Sequence, residues 1–175
     1  NMPSKFNSNT TKNIAKKLAF DLGIKYIEFP IQDWVDMTKA EMEKIIWKEV
    51  KWLVFENMQA RDRWARVLAW IASLENAVFT ANWNKTEIAL GYATLYWDVA
   101  WAFAPIWDLY KTQVYDLARY LDEKKWGILN DVINVMPSAE LWENQNIEAG
   151  KWDPFNYPFV DAVLYQLIEE RKDID

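Results

Sequence analysis

Near the start of the chain, Ile14, Ala15, Leu18 and Leu22 fall at helical spacing behind the capping run Ser8-Asn9-Thr10-Thr11. Gly23 follows, where a left-handed helix end is expected. The period then changes. Ile27, Phe29 and Ile31 alternate with polar residues, so residues 24–31 are predicted as a strand. Thr38 and Glu41 have capping-box spacing, with Met37 and Met42 placed as its hydrophobic staple. They predict a helical region running to Ala72, as two helices meeting near Phe55 to Asn57. Residues 76–81 are short, apolar and partly β-branched, which predicts a buried strand. Asn84 and Glu87 repeat the capping-box spacing and open a short helix reaching Gly91. Asp108 is placed to cap a helix over 109–121, whose Val114, Leu117, Ala118 and Leu121 share a face. Residues 136–141 read as a loop and 144–157 as irregular chain, and 160–171 as a last helix with Val163, Leu164 and Leu167 inward. Strands alternating with helices predict an α/β fold built on a parallel sheet.

Composition narrows the function classes. Hydrophobic residues make up 51% and charged residues 26%, a globular balance in a chain of single-domain length. A net charge of −6 argues against nucleic acid as partner, because that binding rests on clustered Lys and Arg. No run of eighteen apolar residues appears, and no signal segment opens the chain, which argues against a membrane role. With no cysteine and no histidine, thiolate chemistry and imidazole bases are excluded, leaving carboxylates, Lys and Tyr. Glycine is scarce: average usage would give about twelve, yet there are 4 against 12 tryptophans.

Open α/β sheets bind ligands beyond the carboxyl ends of their strands. That edge receives Asn82 to Glu87. Glu87 suits a capping box or, alternatively, a hard cation such as Mg²⁺, which takes one or two carboxylates plus substrate phosphates. Lys111 stands in the first turn of its predicted helix, where a cation meets the positive dipole end. An arriving phosphate would justify it there; otherwise it is a solvated lysine. Arg61, Arg63 and Arg66 with Asp62 read mostly as a solvated face, although Arg61 follows Asn57 by one turn. GxGxxG, GxxxxGK and SGGxDS are all missing.

Six segments in order carry a family resemblance: Met2-Pro3-Ser4-Lys5-Phe6-Asn7-Ser8, Glu56-Asn57-Met58-Gln59-Ala60-Arg61, Asn84-Lys85-Thr86-Glu87, Gly91-Tyr92-Ala93-Thr94-Leu95-Tyr96-Trp97-Asp98, Ala104-Pro105-Ile106-Trp107-Asp108-Leu109-Tyr110-Lys111-Thr112-Gln113-Val114 and Pro137-Ser138-Ala139-Glu140-Leu141. Together they resemble NAD⁺ synthetase, in particular the synthetase domain of the glutamine-dependent type, within the pyrophosphatase-loop ATPases. The resemblance implies a Rossmann-like parallel sheet with flanking helices, of the adenine nucleotide alpha hydrolase type. It is incomplete here, with residues 1–175 as a synthetase domain lacking the SGGxDS strand and loop. It implies ATP-dependent amidation of deamido-NAD to NAD⁺ through an adenylated intermediate, with ammonia, free or from glutamine, as nitrogen donor. By position, Glu87 would bind Mg²⁺ and Lys111 the ATP phosphates, with Ser138 in the ATP site. Asn57 and Arg61 would hold deamido-NAD, with Asp98 nearby. Asn82 completes the implied cofactor-binding set, and no residue is assigned a catalytic role. A homodimer, a glutaminase domain or subunit as partner, and a cytoplasmic location are implied as well.

The departures set a second expectation. Trp64, Trp83, Trp97, Trp101 and Trp107 stand where the family carries glycine, and Asn82 where it carries threonine. A tryptophan at positive φ would add strain of ~1 kcal/mol or more and block close backbone approach. The 175 residues alone are therefore expected to be inactive. The alternative function is a non-catalytic nucleotide-binding or dimerisation fragment of the same fold.

Overall fold

The computed structural model describes residues 1–94 and 102–173. Two compact units form, one from Asn1–Phe79 with Val135–Asp153, the other from Thr80–Ala93, a stretch ending at Asn134, and Pro154 onward. In the first unit, α1 (Asn9–Asp21) starts where the caps predict: the Ser8 side chain accepts from the Thr11 amide, and Gly23 takes φ +67° just beyond its end. The next helix starts earlier than predicted. α2 runs Gln32–Ile46, so Thr38 and Glu41 lie inside it and make no capping box. It stops at Trp47, itself left-handed (φ 58°), and the break before α3 (Trp52–Asp62) therefore lies near 47–51 rather than 55–57. A π-helical turn, Arg63–Leu68, carries α3 into α4 (Ala69–Leu74).

Phe6, Ile31, Val35, Phe55 and Val67 make the core of this unit, with Trp142 packed against it. The Phe6 and Phe55 rings meet edge-on at 6.2 Å, and Trp142 lies 5.7 Å from Phe6. Burying each aromatic ring contributes about 1.5–3 kcal/mol. Arg63 is turned into this unit rather than onto a solvated face. Its Nε donates to the Met2 carbonyl (3.0 Å) and its Nη2 to Asn7 Oδ1 (3.4 Å), and burial pulls its pKa down to about 10. Arg66 also leaves the solvated face expected of it: it forms a two-pronged pair with Asp62 at 2.7 Å and its guanidinium packs over the Phe29 and Trp34 rings.

The predicted parallel sheet does not appear among the described residues. Two short parallel pairings stand in its place. Asn1 donates its ammonium to the Ile27 carbonyl, and the amides of Phe29 and Ile31 return bonds to the carbonyls of Asn1 and Pro3. Pro3 has no N–H to donate, so the ladder is interrupted there. Thr80 bridges Phe103 in parallel, with the Ala81 amide on the Phe103 carbonyl at 3.0 Å. Alternating side chains do not make a strand without a neighbouring backbone to pair with. Ile24 and Val78, predicted to be strand residues, are exposed.

The second unit is helical among its described residues: α5 (Lys85–Leu90), α6 (Lys111–Leu121), α7 (Asn130–Asn134) and α8 (Tyr157–Ile168). α6 begins two residues later than predicted, because Asp108 pairs with Lys85 (3.1 Å) instead of capping. α8 begins three residues earlier, capped by the Asn156 side chain. The scarce glycines all occupy left-handed positions at the ends of helical segments, with Gly23, Gly91, Gly127 and Gly150 at φ +65° to +69°. No helix among the described residues is long and apolar enough to cross a membrane.

Candidate nucleotide site

α5 and α6 begin side by side, because the Lys85 amide donates to the Leu109 carbonyl at 2.8 Å. The capping box read from the sequence forms: Asn84 Oδ1 accepts from the Glu87 amide and Glu87 Oε2 from the Asn84 amide, each at 3.1 Å. The other carboxylate oxygen of Glu87 takes the Lys111 ammonium at 2.9 Å, and both side chains are largely buried. Lys111 Nζ also lies 5.2 Å from the centroid of the Tyr157 ring. Glu87 and Lys111, chosen separately in the sequence, are thus one ion pair.

Lys111 is the first residue of α6, and the terminus it occupies already has an anion. The Lys111 amide donates to Thr86 Oγ1 (2.9 Å) and the Thr112 amide to Asp161 Oδ2 (2.8 Å). Two carboxylates, Glu87 and Asp161, therefore offset a cation at the positive end of the helix dipole. Carboxylates thus stand where the sequence placed a phosphate. A second, more exposed cluster gathers around Lys85. Lys85 bonds Glu169 as well as Asp108, and the buried Tyr110 hydroxyl donates to Glu169 at 3.2 Å. The bonds to Glu169 and Asp108 push the Lys85 pKa upward, the Lys85 bond holds Glu169 below the usual carboxylate range, and burial raises Tyr110.

The remaining predicted site residues are distributed as follows. Asn82 is exposed in the second unit, its Oδ1 accepting the Thr80 hydroxyl at 3.0 Å. Asn57 and Arg61 are half-buried on α3 in the first unit, one turn apart. Ser138 belongs to that unit too, and its hydroxyl donates to the Gln145 carbonyl. Gln145 Nε2 reaches Glu56 at 3.2 Å, and Gln59 Nε2 reaches the Leu141 carbonyl at 2.8 Å. The loop carrying Ser138 is thereby stitched to the helix carrying Asn57. Burial raises the Glu56 pKa, an effect reduced by the bond from Gln145. Asp98 lies outside the described residues.

In this structure Glu87 is paired with a cation rather than grouped with other acids. Its oxygens are committed to Lys111 and to a backbone N–H, and the described residues contain no cluster of three acidic, His or Cys side chains placed to hold a metal. The tryptophan expectation is also corrected. Among the described residues the non-glycine positions with positive φ are Trp47, Asn76, Glu140 and Arg171, so Trp64, Trp83 and Trp107 carry no left-handed strain. Trp83 is costly for another reason: its indole Nε1 is buried without a hydrogen-bond partner. Trp97 and Trp101 lie outside the described residues.

Sequence reasoning passed over Asp161 and Glu140. Asp161 is the lone acid in YPFVDAVLYQLI, and an acid in an apolar helix is a detectable signal. Glu140 is buried at φ 47° and accepts from the Ser8 amide (3.2 Å) and the Thr11 hydroxyl (2.6 Å), capping α1 from 132 residues away.

A model of the NAD synthase family matches residues 1–175. The chain belongs to the NAD synthase family. An NH(3)-dependent NAD(+) synthetase of Fusobacterium nucleatum is 39% identical over 175 residues, which cover 99% of this chain and 62% of that protein. A glutamine-dependent NAD(+) synthetase of Aquifex aeolicus is 39% identical over 169 residues, covering 97% of this chain and 29% of that one. Among solved structures, the NH3-dependent NAD synthetase of Campylobacter jejuni, in complex with the nitrate ion, matches with a TM-score of 0.71 at 28% identity, over 97% of this chain and 61% of that one. The glutamine-dependent NAD(+) synthetase of Cytophaga hutchinsonii shares the fold, with a TM-score of 0.79 at 22% identity over 98% of this chain and 27% of that one. The likeness puts the chain in the α/β class of these NAD synthetases, and the chain spans about three fifths of the length of its NH(3)-dependent relatives.

Proposed function

We propose that residues 1–175 form one nucleotide-handling synthetase domain of an amide-forming ligase that converts deamido-NAD to NAD⁺ at the expense of ATP. The single observation that carries this reading is the Glu87–Lys111 pair at the adjoining starts of α5 and α6, inside two of the motifs that define the resemblance. Lys111 exchanges Glu87 for ATP phosphate, with Asn82 in the same unit, and Ser138 is assigned to ATP by the motif resemblance alone. Asn57 and Arg61 hold deamido-NAD, with Asp98 nearby. Adenylation of the nicotinate carboxylate breaks the α–β bond of ATP, releases pyrophosphate and makes AMP the leaving group, so ammonia can displace AMP without a histidine base. Once Lys111 turns to the ATP phosphates, the Glu87 carboxylate it releases would hold the Mg²⁺ that accompanies ATP. Ammonia arrives free or from a glutaminase domain or subunit, and the protein works in the cytoplasm as a homodimer.

Calorimetry with ATP and with deamido-NAD tests this. ATP binding that Lys111→Ala abolishes, and deamido-NAD binding that Arg61→Ala abolishes, are expected; absence of both signals in the unaltered chain would overturn the reading. The buried, unpartnered Trp83 indole at a family glycine position favours a second reading, a non-catalytic binding fragment. Nucleotide binding without NAD⁺ formation, from ATP, deamido-NAD and ammonia, would select it.

A further inference from the structure

We propose that Asp161 is a positioning residue for Lys111, acting through Thr86. The proposal rests on the reading that Lys111 meets the ATP phosphates. Asp161 is 5% exposed, and a buried carboxylate is strongly disfavoured unless hydrogen bonds satisfy it. Its partners are unusually placed. Oδ1 takes the hydroxyl of Thr86, which is wholly buried and immediately precedes Glu87. Oδ2 takes the amide of Thr112, which immediately follows Lys111. One carboxylate thus ties together the residues flanking both members of the ion pair.

The direction of the relay is fixed by proton inventory. The Lys111 amide can only donate, so Thr86 Oγ1 accepts there (2.9 Å) and gives its single proton to Asp161. The result is a polarised chain, Lys111 N–H to Thr86 O–H to Asp161, closed by Thr112 N–H to the same carboxylate. Tyr157 stands one turn before Asp161 on α8 and carries its ring against the Lys111 ammonium, 5.2 Å from the centroid. α8 therefore sets Lys111 at both ends: the backbone through Asp161, the ammonium through Tyr157. Without the carboxylate, the Thr112 amide and the Thr86 hydroxyl lose their acceptor, and Lys111 loses its register with Glu87.

The test is competitive lysine acylation of the folded full chain at one pH, read by mass spectrometry, with the exposed Lys16 as internal reference. Lys111 is expected to be protected in the unaltered protein. In Asp161→Asn its labelling relative to Lys16 should rise roughly tenfold, as expected when a charge-assisted hydrogen bond is lost. Thr86→Val, which keeps the side-chain shape but breaks the relay, should give the same rise, and Thr86→Ser should restore protection. Where Asp161→Asn does not fold, the Thr86 pair decides. A purely structural role lowers the unfolding midpoint but leaves the Lys111 to Lys16 ratio unchanged in folded protein, and that result would overturn the proposal. Calorimetry with ATP runs alongside. An unaltered chain that does not bind ATP defeats the nucleotide reading, while the labelling ratio still decides the positioning of Lys111.

Discussion

Replacing Glu140 with alanine removes the carboxylate that joins the 138–141 loop to the start of α1. The Thr11 hydroxyl at 2.6 Å and the Ser8 amide at 3.2 Å are its two short bonds, and Asn7 Nδ2 at 3.4 Å is a weak third. Thr11 has a fallback acceptor in the Ser8 carbonyl at 3.3 Å, but the buried Ser8 amide has none. An orphaned buried donor costs about 1–3 kcal/mol, and loss of an anion at a helix N-terminus adds about 0.3–1 kcal/mol. The expected loss for Glu140→Ala is therefore about 1.3–4 kcal/mol. Glu140 also sits at φ 47°, where a Cβ is unfavourable. Glu140→Gly loses the same bonds but relieves that strain, so it should be more stable than the alanine variant by about 1 kcal/mol. Urea unfolding at pH 7 with linear extrapolation measures both. A loss below about 1 kcal/mol for alanine, or a glycine variant no more stable than the alanine one, would refute the reasoning.

Three further outcomes are expected. Phe55→Ala opens the aromatic core of the first unit, where Phe55 is 4% exposed, and should cost about 3–5 kcal/mol in the same urea assay. Glu169 has a lowered pKa through its bond to Lys85, so its contribution is present above the ordinary carboxylate pKa and is lost as pH falls through the lowered folded value. Glu169→Gln should then flatten the decline of stability on the acid side of about pH 4.3; an unchanged acid limb would count against it. Glu56 behaves in the opposite sense. Burial raises its pKa, so stability is reduced as pH rises from the unfolded towards the folded value, and the Gln145 bond only offsets part of this. Glu56→Gln should raise the urea midpoint at pH 7 more than at pH 4, and an equal shift at both would exclude burial as the cause.

Features closed within one turn of chain were legible without the fold. The Ser8 cap, the Asn84–Glu87 box and the glycine at the end of α1 each need partners only two or three residues away. Helix boundaries that depend on packing were not. Thr38 and Glu41 have capping spacing, yet α2 starts at Gln32, where Ile31 and Val35 enter the core. The alternation at 27–31 did not become a strand: only Ile31 is buried, Ile27 and Phe29 are exposed, and Pro3 interrupts the backbone beside them. The site divides along the same line. Glu87 and Lys111 could be chosen from dipole and capping arguments, whereas their pairing across 24 residues is a tertiary fact. Asp161 reaches Thr86 over 75 residues, and Glu140 reaches Ser8 over 132. The sequence by itself determined the family, the local caps and the candidate residues, because these reside in residue type and short spacing. Only the tertiary structure decided which carboxylate answers which helix terminus, because a buried charge finds its partners in space rather than along the chain.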